Sequence, residues 1–487
     1  GFVLSINPLV CAGFGADFDG DAMAVHLITD KAECEEANRM LPTAPVNLLS
    51  LANGKPVASY AQDMVLGSYI LSKTEGARKL LPDSFHSCAE CRRVLSGPNP
   101  LDLKAGQSFL THLCGSHAAD VAEVLPYWMN RAFEAATEAG VSYGFLELVG
   151  LKVKSLKGVF NKLQKGKLTL ATVNQELNEH TLTLLKKALA NPANPGYGLA
   201  VMALSGARGG GQVRQLLAAR GYLDPGDTGF DANPKDFFFE TSLCKGMTPE
   251  QAFFAATNGR SSMIDKKCGT PKAGYLTRKL VLACWPWHIT GEPCDSSESE
   301  RSIFNCGHAR DRAICSACYG TVYGYDDLNG FPAGLIAAQS VGERGTQLSM
   351  QSFHSGERAI SLDEVDALFE GRYVCPEDRD KPEPEYVNLF KRPEDGAQFL
   401  NLMKQQKAYE DIKERHLMLI WRIIHESEKK TLSGASQGQF DVLSGLAGPA
   451  QRAFIKQAAD DERKERCGSP LASVLRSRPP VVEEKQP

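Results

Sequence analysis

The sequence predicts a multidomain α+β chain in which short strands come first and long helices follow. Three observations carry that reading. The chain has 487 residues, β-branched and aromatic runs near its start are broken by Gly and Asn-Pro, and helical periodicity holds over 145–190 and 248–283. At roughly 150 residues per domain this length gives about three units, enough to bury cores without disulfides. Hydrophobic residues at 43% and charged residues at 23% exclude a disordered or fibrous chain. Lys plus Arg number 54 against 58 Asp plus Glu, a formal charge of −4, so no bulk basic excess marks nucleic acid and any polyanion site must be local. The longest apolar runs, such as Leu280 to Trp287, are far short of a bilayer span, and no charged n-region and apolar h-region open the chain. A cytoplasmic protein with no membrane partner is expected. Gly1 runs directly into the strand-like Phe2 to Ile6, as in the middle of something longer.

From Phe2 to Leu51 the pattern reads as a twisted β unit followed by a helix around Lys31 to Met40. Residues 145–190 are helical by period, and Lys152, Lys154, Lys157, Lys162, Lys165 and Lys167 form a solvated face there. After a Gly-rich turn at Gly206 to Gly211, a long helix is predicted from Thr248 to Ala283. Thr248 and Gln251 form a capping box, and Pro249 sits in the first turn, where its missing N–H costs nothing. Gly269 and Pro271 lie deep inside that pattern, so a bend is predicted. Cys375 to Pro384 reads as a linker, and the tail beyond Arg476 as disordered.

The motif with most chemistry in it is Ala16-Asp17-Phe18-Asp19-Gly20-Asp21, three carboxylates at alternate positions. Alternation puts them on one face of a strand, and Gly20 permits a turn that lets Asp17, Asp19 and Asp21 converge on one hard cation. A solvated acidic turn is the plainer alternative. A helix–loop–helix calcium loop fits poorly, because its twelfth position is Ile28 counted from Asp17 and Asp30 counted from Asp19, where a Glu is needed. Among the fourteen cysteines, Cys294, Cys306, Cys315 and Cys318 end in Cys-x-x-Cys, and four thiolates suit a closed tetrahedral zinc site. A second set, Cys88, Cys91, Cys114 and His117, has zinc-ribbon spacing, with paired free cysteines as the alternative.

Several blocks in a fixed order carry a resemblance. They are Asn7 to Cys11, Ala16 to His26, Ala52 to Pro56 with Gln62 to Gly67, Ser205 to Gly209 with Gln212 to Leu216, Gly246 to Pro249 through Gly274 to Leu280, and Gly334 to Glu343 with Gly345 to Met350, Phe353 to Gly356 and Asp363 to Glu370. Together they closely resemble the largest subunit of multisubunit RNA polymerases, the bacterial β′ type, across about three quarters of the chain. The resemblance implies part of a double-psi β-barrel, followed by mostly helical pore, bridge-helix and trigger-loop regions with a zinc-binding insert. By that reading 1–68 is the partial barrel with its Mg-binding loop, 69–200 the pore or funnel region, and 201–290 the loop beside the nucleotide's path of access and the bridge helix. The zinc module is 291–325, the trigger loop 326–374, a clamp- and jaw-like region 375–476 and the tail 477–487.

The resemblance also implies roles. Asp17, Asp19 and Asp21 would hold the Mg2+ of a two-metal mechanism. Arg208 and Arg214 would offer cationic donors to the triphosphate, and Thr270 would face the template base. Gln347 would contact the ribose, Met350 would pack on the incoming base, and His354 would sit by the β-phosphate. The family also has a four-cysteine zinc site where Cys294 to Cys318 lies, with a longer gap between the first two ligands than the eleven residues here. No site of the family corresponds to the Cys88 set. Implied partners are the β-type second-largest subunit and other polymerase subunits, the N-terminal half of the largest subunit, DNA template, RNA product, nucleoside triphosphates and an initiation factor.

Some positions depart from the family. Gly15 stands where an Asn contacts the ribose, Gln351 replaces a phosphate-directed trigger-loop Arg, and Arg344 replaces a Pro that stiffens the hinge. Gly269 and Pro271 replace helix formers. The expected function is Mg-dependent, template-directed nucleotidyl transfer to the RNA 3′ end as part of DNA-directed RNA polymerase. The competing readings are a non-catalytic polymerase-like scaffold that binds nucleic acid or polymerase subunits and, further off, a calcium-binding structural protein.

Overall fold

In the computed structural model, the described residues are 3–39, 47–85, 88–97, 99–145, 148, 156–223, 233–297, 301–351, 362–370, 373–374, 386–406 and 408–432. Helices dominate. In chain order they are α1 (Cys11–Phe14), α2 (Lys31–Arg39), α3 (Gln62–Thr74), α4 (Ala89–Leu95), α5 (Leu103–Ser116), α6 (Val121–Ala139), α7 (Lys157–Gln164) and α8 (Leu170–Leu189). They continue with α9 (Tyr197–Leu204), α10 (Gly210–Leu217), α11 (Pro249–Cys284), α12 (Ser316–Tyr319), α13 (Ala333–Gln351), α14 (Leu362–Phe369), α15 (Asp395–Lys404) and α16 (Glu414–Leu432). The described strands form three two-stranded sheets. β1 (Gly221–Tyr222) pairs antiparallel with β2 (Phe238–Phe239), β3 (His288–Thr290) pairs parallel with β4 (Ala313–Cys315), and β5 (Tyr373–Val374) pairs antiparallel with β6 (Tyr386–Val387). No described helix is long and apolar enough to cross a membrane.

The expected twisted β unit does not form. Residues 3–30 carry no strand; they run as irregular chain interrupted by a 3-10 turn at Pro8–Val10 and the short α1. β-branched composition sets only a preference, and a strand also needs a ladder partner. Leu9 is buried, but Val3, Leu4, Phe18, Val25 and Leu27 remain exposed. The helix predicted next does form as α2, its first turn held by Asp30, whose carboxylate accepts from the N–H groups of Ala32 and Glu33.

The chain divides into two units, the first comprising 1–20, 56–266 and 351–358, and the second 21–55, 267–350 and 359–487. In the first, α3 and α6 pack at very short range, since a Cβ on Gly67 would lie 1.7 Å from the Ala132 carbonyl oxygen. Trp128 fills the centre, donating from Nε1 to Ser68 Oγ at 2.9 Å and lying 5.1 Å centroid to centroid from Tyr60. Burying an indole requires such an acceptor. Further along, Val173 and Leu177 of α8 share a cluster with Ala218 and Ala219, and Leu185 shares one with Leu199 of α9 and with Val213 and Leu217 of α10. The Lys face appears as expected where it is described, with Lys157, Lys162, Lys165 and Lys167 exposed. Lys152 and Lys154 lie outside the described residues.

The second unit is built on one large core joining the C-terminal half of α11 to α13, α14, α15 and α16, with Trp421, Tyr409, Phe369, Phe390 and Phe399 fully buried. α13 lies close against α11. A Cβ on Gly334 would meet the Cys284 carbonyl oxygen at 1.9 Å, and one on Gly342 would meet the Thr277 side chain at 2.6 Å. Ala337 and Ala338 between them are fully buried. Lys279 of α11, itself buried, is bonded to Asp366 and, at 3.2 Å, to Glu370 at the end of α14. Burial alone would lower its pKa, but the two carboxylates outweigh that and raise it.

Helix α11 begins as the sequence predicts. Thr248 Oγ1 accepts from the Gln251 N–H at 3.2 Å, and Gln251 Oε1 accepts from the Thr248 N–H at 3.1 Å. The helix then runs unbroken through Gly269 and Pro271 for 36 residues. Pro271 has no N–H, so the Lys267 carbonyl lacks its i+4 donor there. The predicted linker at 375–384 and the tail beyond Arg476 lie outside the described residues.

Candidate active site and metal centres

The acidic loop is a short turn. The Asp19 N–H donates to Asp17 Oδ1 at 3.2 Å, and Gly20 takes φ +121°, a region closed to ordinary side chains. As a result the carboxylates of Asp17, Asp19 and Asp21 each bring an oxygen within 4.8 Å of the others, all three exposed. Such convergence favours a hard cation with oxygen ligands. Gly15, just before the loop, sits at φ +59°, ψ +29° as the left-handed cap of α1, with open space around its Cβ position.

Arg208 and Arg214 have different surroundings. The Arg208 side chain is half exposed and 3.9 Å from Asp63 in the Gln62-Asp63-Met64 block. Arg214 is buried, and its Nη1 donates to Asn174 Oδ1, which also accepts from the Tyr222 N–H. Burial lowers the Arg214 pKa from its usual value. Thr270 lies exposed on α11. Gln347, Met350 and Gln351 fall in the last turns of α13. His354 lies outside the described residues.

Arg344, also on α13, pairs with Asp411 at 3.3 Å, and Asp411 is further bonded by Lys55 at 2.7 Å and Asn53 at 3.3 Å. Burial opposes ionisation of Asp411, but Lys55, Arg344 and Asn53 outweigh it and hold its carboxyl below the ordinary value. Arg344 therefore ties α13 to the Ala52-Asn53-Gly54-Lys55 block through Asp411. Lys279, Asp366 and Asp411 were not singled out from the sequence. The signal available was charge at apolar helix positions, which is weak without the fold.

Two sulfur-containing clusters are present. Cys294, Cys306, Cys315 and Cys318 all bring Sγ within 4.8 Å of one another, as their spacing predicts. Sulfur separations of 3.5, 3.6 and 3.9 Å are too long for disulfides and match the roughly 3.8 Å edge of a tetrahedron with metal–sulfur bonds of about 2.3 Å. The Ser296 hydroxyl, followed by nearby backbone N–H groups, lowers Cys294 to about 5. Burial pushes Cys306 and Cys318 up. A bound cation would reverse that by favouring four thiolates.

The second cluster differs from its sequence reading. The group that assembles is Cys88, Cys91, His112 and His117, with ligand atoms within 4.8 Å of one another; Cys114 is not in it. On α5 Cys114 is fully buried beside Leu113 and Leu110, and burial pushes its thiol up to about 11. His112, two positions earlier, instead lies with Nε2 3.1 Å from Cys88 Sγ. The overlooked signal is His112-x4-His117, a histidine pair at ligand spacing after Cys-x-x-Cys.

Residues 246–431 match the family model described as RNA polymerase Rpb1, domain 5. Among curated proteins the chain is similar to DNA-directed RNA polymerase subunit beta' of Syntrophomonas wolfei, 26% identical over 76% of this chain and 43% of that protein. The corresponding subunit of Fusobacterium nucleatum is 27% identical over 73% of this chain and 35% of its own length, and that of Sulfurimonas denitrificans 26% over 74% and 32%. The chain thus spans less than half the length of these relatives.

Proposed function

We propose that this chain, which belongs to the largest-subunit, β′-type family of RNA polymerases, supplies the catalytic loop of a DNA-directed RNA polymerase. The observation that carries the reading is the convergence of Asp17, Asp19 and Asp21 in a glycine-bearing turn within a block resembling the family's metal loop. Mg2+ bound there would lower the pKa of the RNA 3′-hydroxyl and steady the α-phosphate, with a second ion arriving on the nucleotide. The three aspartates hold that position through a turn that needs Gly20. Arg208, half in solvent and loosely paired with Asp63 at 3.9 Å, is the cation that would turn toward a triphosphate, while buried Arg214 holds Asn174, which accepts in turn from the Tyr222 N–H of β1. α11 plays the bridge-helix part, with Thr270 toward the template base. The end of α13, with Gln347, Met350, Gln351 and the following His354, plays the trigger-loop part, closing on substrate.

Cys294, Cys306, Cys315 and Cys318 hold structural zinc in this reading, pinning the connection between the parallel strands β3 and β4 to β4 and α12. Met23, Val25 and Leu27 fall at alternate positions as in a barrel strand, with Val25 and Leu27 exposed and Met23 partly so. We therefore assign 3–30 to barrel strands that order against polypeptide equivalent to the rest of the longer relatives. A β-type second large subunit, DNA, RNA, nucleoside triphosphates and an initiation factor complete the proposed assembly.

The test is extension of a labelled RNA primer on a preformed RNA–DNA scaffold by the complex that copurifies with this chain. Mg2+-dependent extension supports the catalytic reading. A complex that holds a second large subunit and the remaining barrel segment yet extends nothing would leave only the scaffold role.

A further inference from the structure

We propose that Cys88, Cys91, His112 and His117 bind a second, structural zinc ion that staples α4 to α5 and to the turn leading into α6. This inference does not rest on the polymerase reading. The donor set is two thiolates and two imidazoles, spaced Cys-x2-Cys and His-x4-His, which is the composition of closed tetrahedral zinc sites. The fold brings them together from three places: Cys88 caps α4, Cys91 lies in its first turn, His112 is on α5, and His117 is the residue that ends α5.

The geometry accommodates a metal ion. For bonds of about 2.3 Å to sulfur and 2.0–2.1 Å to nitrogen, a tetrahedral S···N edge is about 3.6 Å. The observed 3.1 Å from Cys88 Sγ to His112 Nε2 is about 0.5 Å inside that edge, and all four ligand atoms lie within 4.8 Å of one another, so small side-chain rotations would seat them around one ion. The Cys91 thiol is fully buried. His117 Nε2 is buried with no hydrogen-bond partner, a loss that a metal bond would remove. Its other ring nitrogen, Nδ1, faces Asp120 Oδ2 at 3.6 Å, the carboxylate–histidine arrangement that orients metal ligands. Four protein ligands leave no open position, so the site is structural. The softness of the set selects zinc over Mg2+ or Ca2+.

The test is zinc content per full-length chain by mass spectrometry, followed by cobalt substitution. Two zinc ions per chain are expected, with one remaining after His112→Ala or Cys88→Ser and two remaining after Cys114→Ser. A zinc content unchanged by His112→Ala would overturn the proposal, as would loss of one ion on Cys114→Ser. Should His112→Ala misfold, Cys306→Ser, which leaves all four proposed ligands in place, decides the matter. Its cobalt form should show a thiolate-to-cobalt band of two-thiolate intensity with tetrahedral d–d absorption, and absence of that band would contradict the site.

Discussion

Replacing Gly334 by Ala tests the packing that sets α13 against α11. The new Cβ would fall 1.9 Å from the Cys284 carbonyl oxygen and 2.8 Å from Trp287 Cβ. Carbon and oxygen are essentially never found closer than about 3.0 Å, so the helices must part by about 1.1 Å or α13 must tilt. The obstacle is backbone, which no rotamer change removes. The expected cost therefore lies at the upper end of the overpacking range, about 3 kcal/mol. At about 2–4 °C per kcal/mol for a domain of this size, the melting temperature should fall by about 6–12 °C. The assay is thermal unfolding of the full chain followed by circular dichroism, beside Gly274→Ala. Gly274 is on the same α11, exposed, with nothing within 4 Å of its Cβ position, and Ala there should gain up to about 1 kcal/mol in helix propensity. If Gly334→Ala melts within a degree or two of the natural chain, the close approach is wrong and so is the argument for how α13 is held.

Other outcomes follow from the same structure. Lys279→Met leaves Asp366 and Glu370 facing each other without their cation; with Asp366 partly exposed, the loss should sit near the lower end of the buried-pair range, about 3 kcal/mol by urea unfolding, and a loss well under 1 kcal/mol would contradict the pairing. His416 donates from Nε2 to the Leu51 carbonyl at 2.8 Å, its Nδ1 is buried without a partner, and burial, set against that bond, lowers its pKa to about 4. Its neutral form is favoured in the fold, so the contribution is whole above the unfolded value near 6.5 and is lost as pH falls toward 4, up to about 3 kcal/mol. His416→Gln, which keeps a donor, should remove that part of the slope in urea midpoints measured from pH 7 to 4, and an unchanged slope would contradict it. Gly15→Asn should be accepted by the backbone, because Asn tolerates left-handed φ and the space is open. One added hydrogen bond to a ribose hydroxyl is worth about 0.5–1.5 kcal/mol, so selectivity for ribo- over deoxynucleotides should rise about 3–10-fold in single-nucleotide addition; no rise would refute the assignment.

What could be read from the sequence is what local chemistry fixes. The Thr248–Gln251 box marks the start of α11 to within a residue because both halves of the motif lie within one turn. The Cys294–Cys318 cluster was legible because ligand spacing constrains the fold that brings it together. Asp17, Asp19 and Asp21 converge because the Asp19-to-Asp17 bond and the positive φ of Gly20 bend the loop, both of them local to the motif. The strands expected in 3–30 do not form in this chain for the opposite reason: β structure is decided by a partner remote in sequence, and the run itself carries only a preference. His112 was overlooked because Cys114, as a cysteine, attracts a metal reading. The helical period, which puts 110, 113 and 114 on the buried face, argued for the histidine. Lys279 with Asp366, and Arg344 with Asp411, join residues 87 and 67 apart, beyond the reach of any local pattern.

The central claim is that the aspartate loop performs Mg-dependent nucleotidyl transfer. It is tested most directly by single-nucleotide addition on an RNA–DNA scaffold, comparing the copurified complex carrying the natural chain with one carrying Asp19→Ala, across a Mg2+ titration. Asp19 lies on an exposed turn, so the variant should assemble unchanged. The account predicts addition by the natural complex and a loss of at least a hundredfold in the variant that added Mg2+ does not restore. Equal addition by both complexes would contradict it.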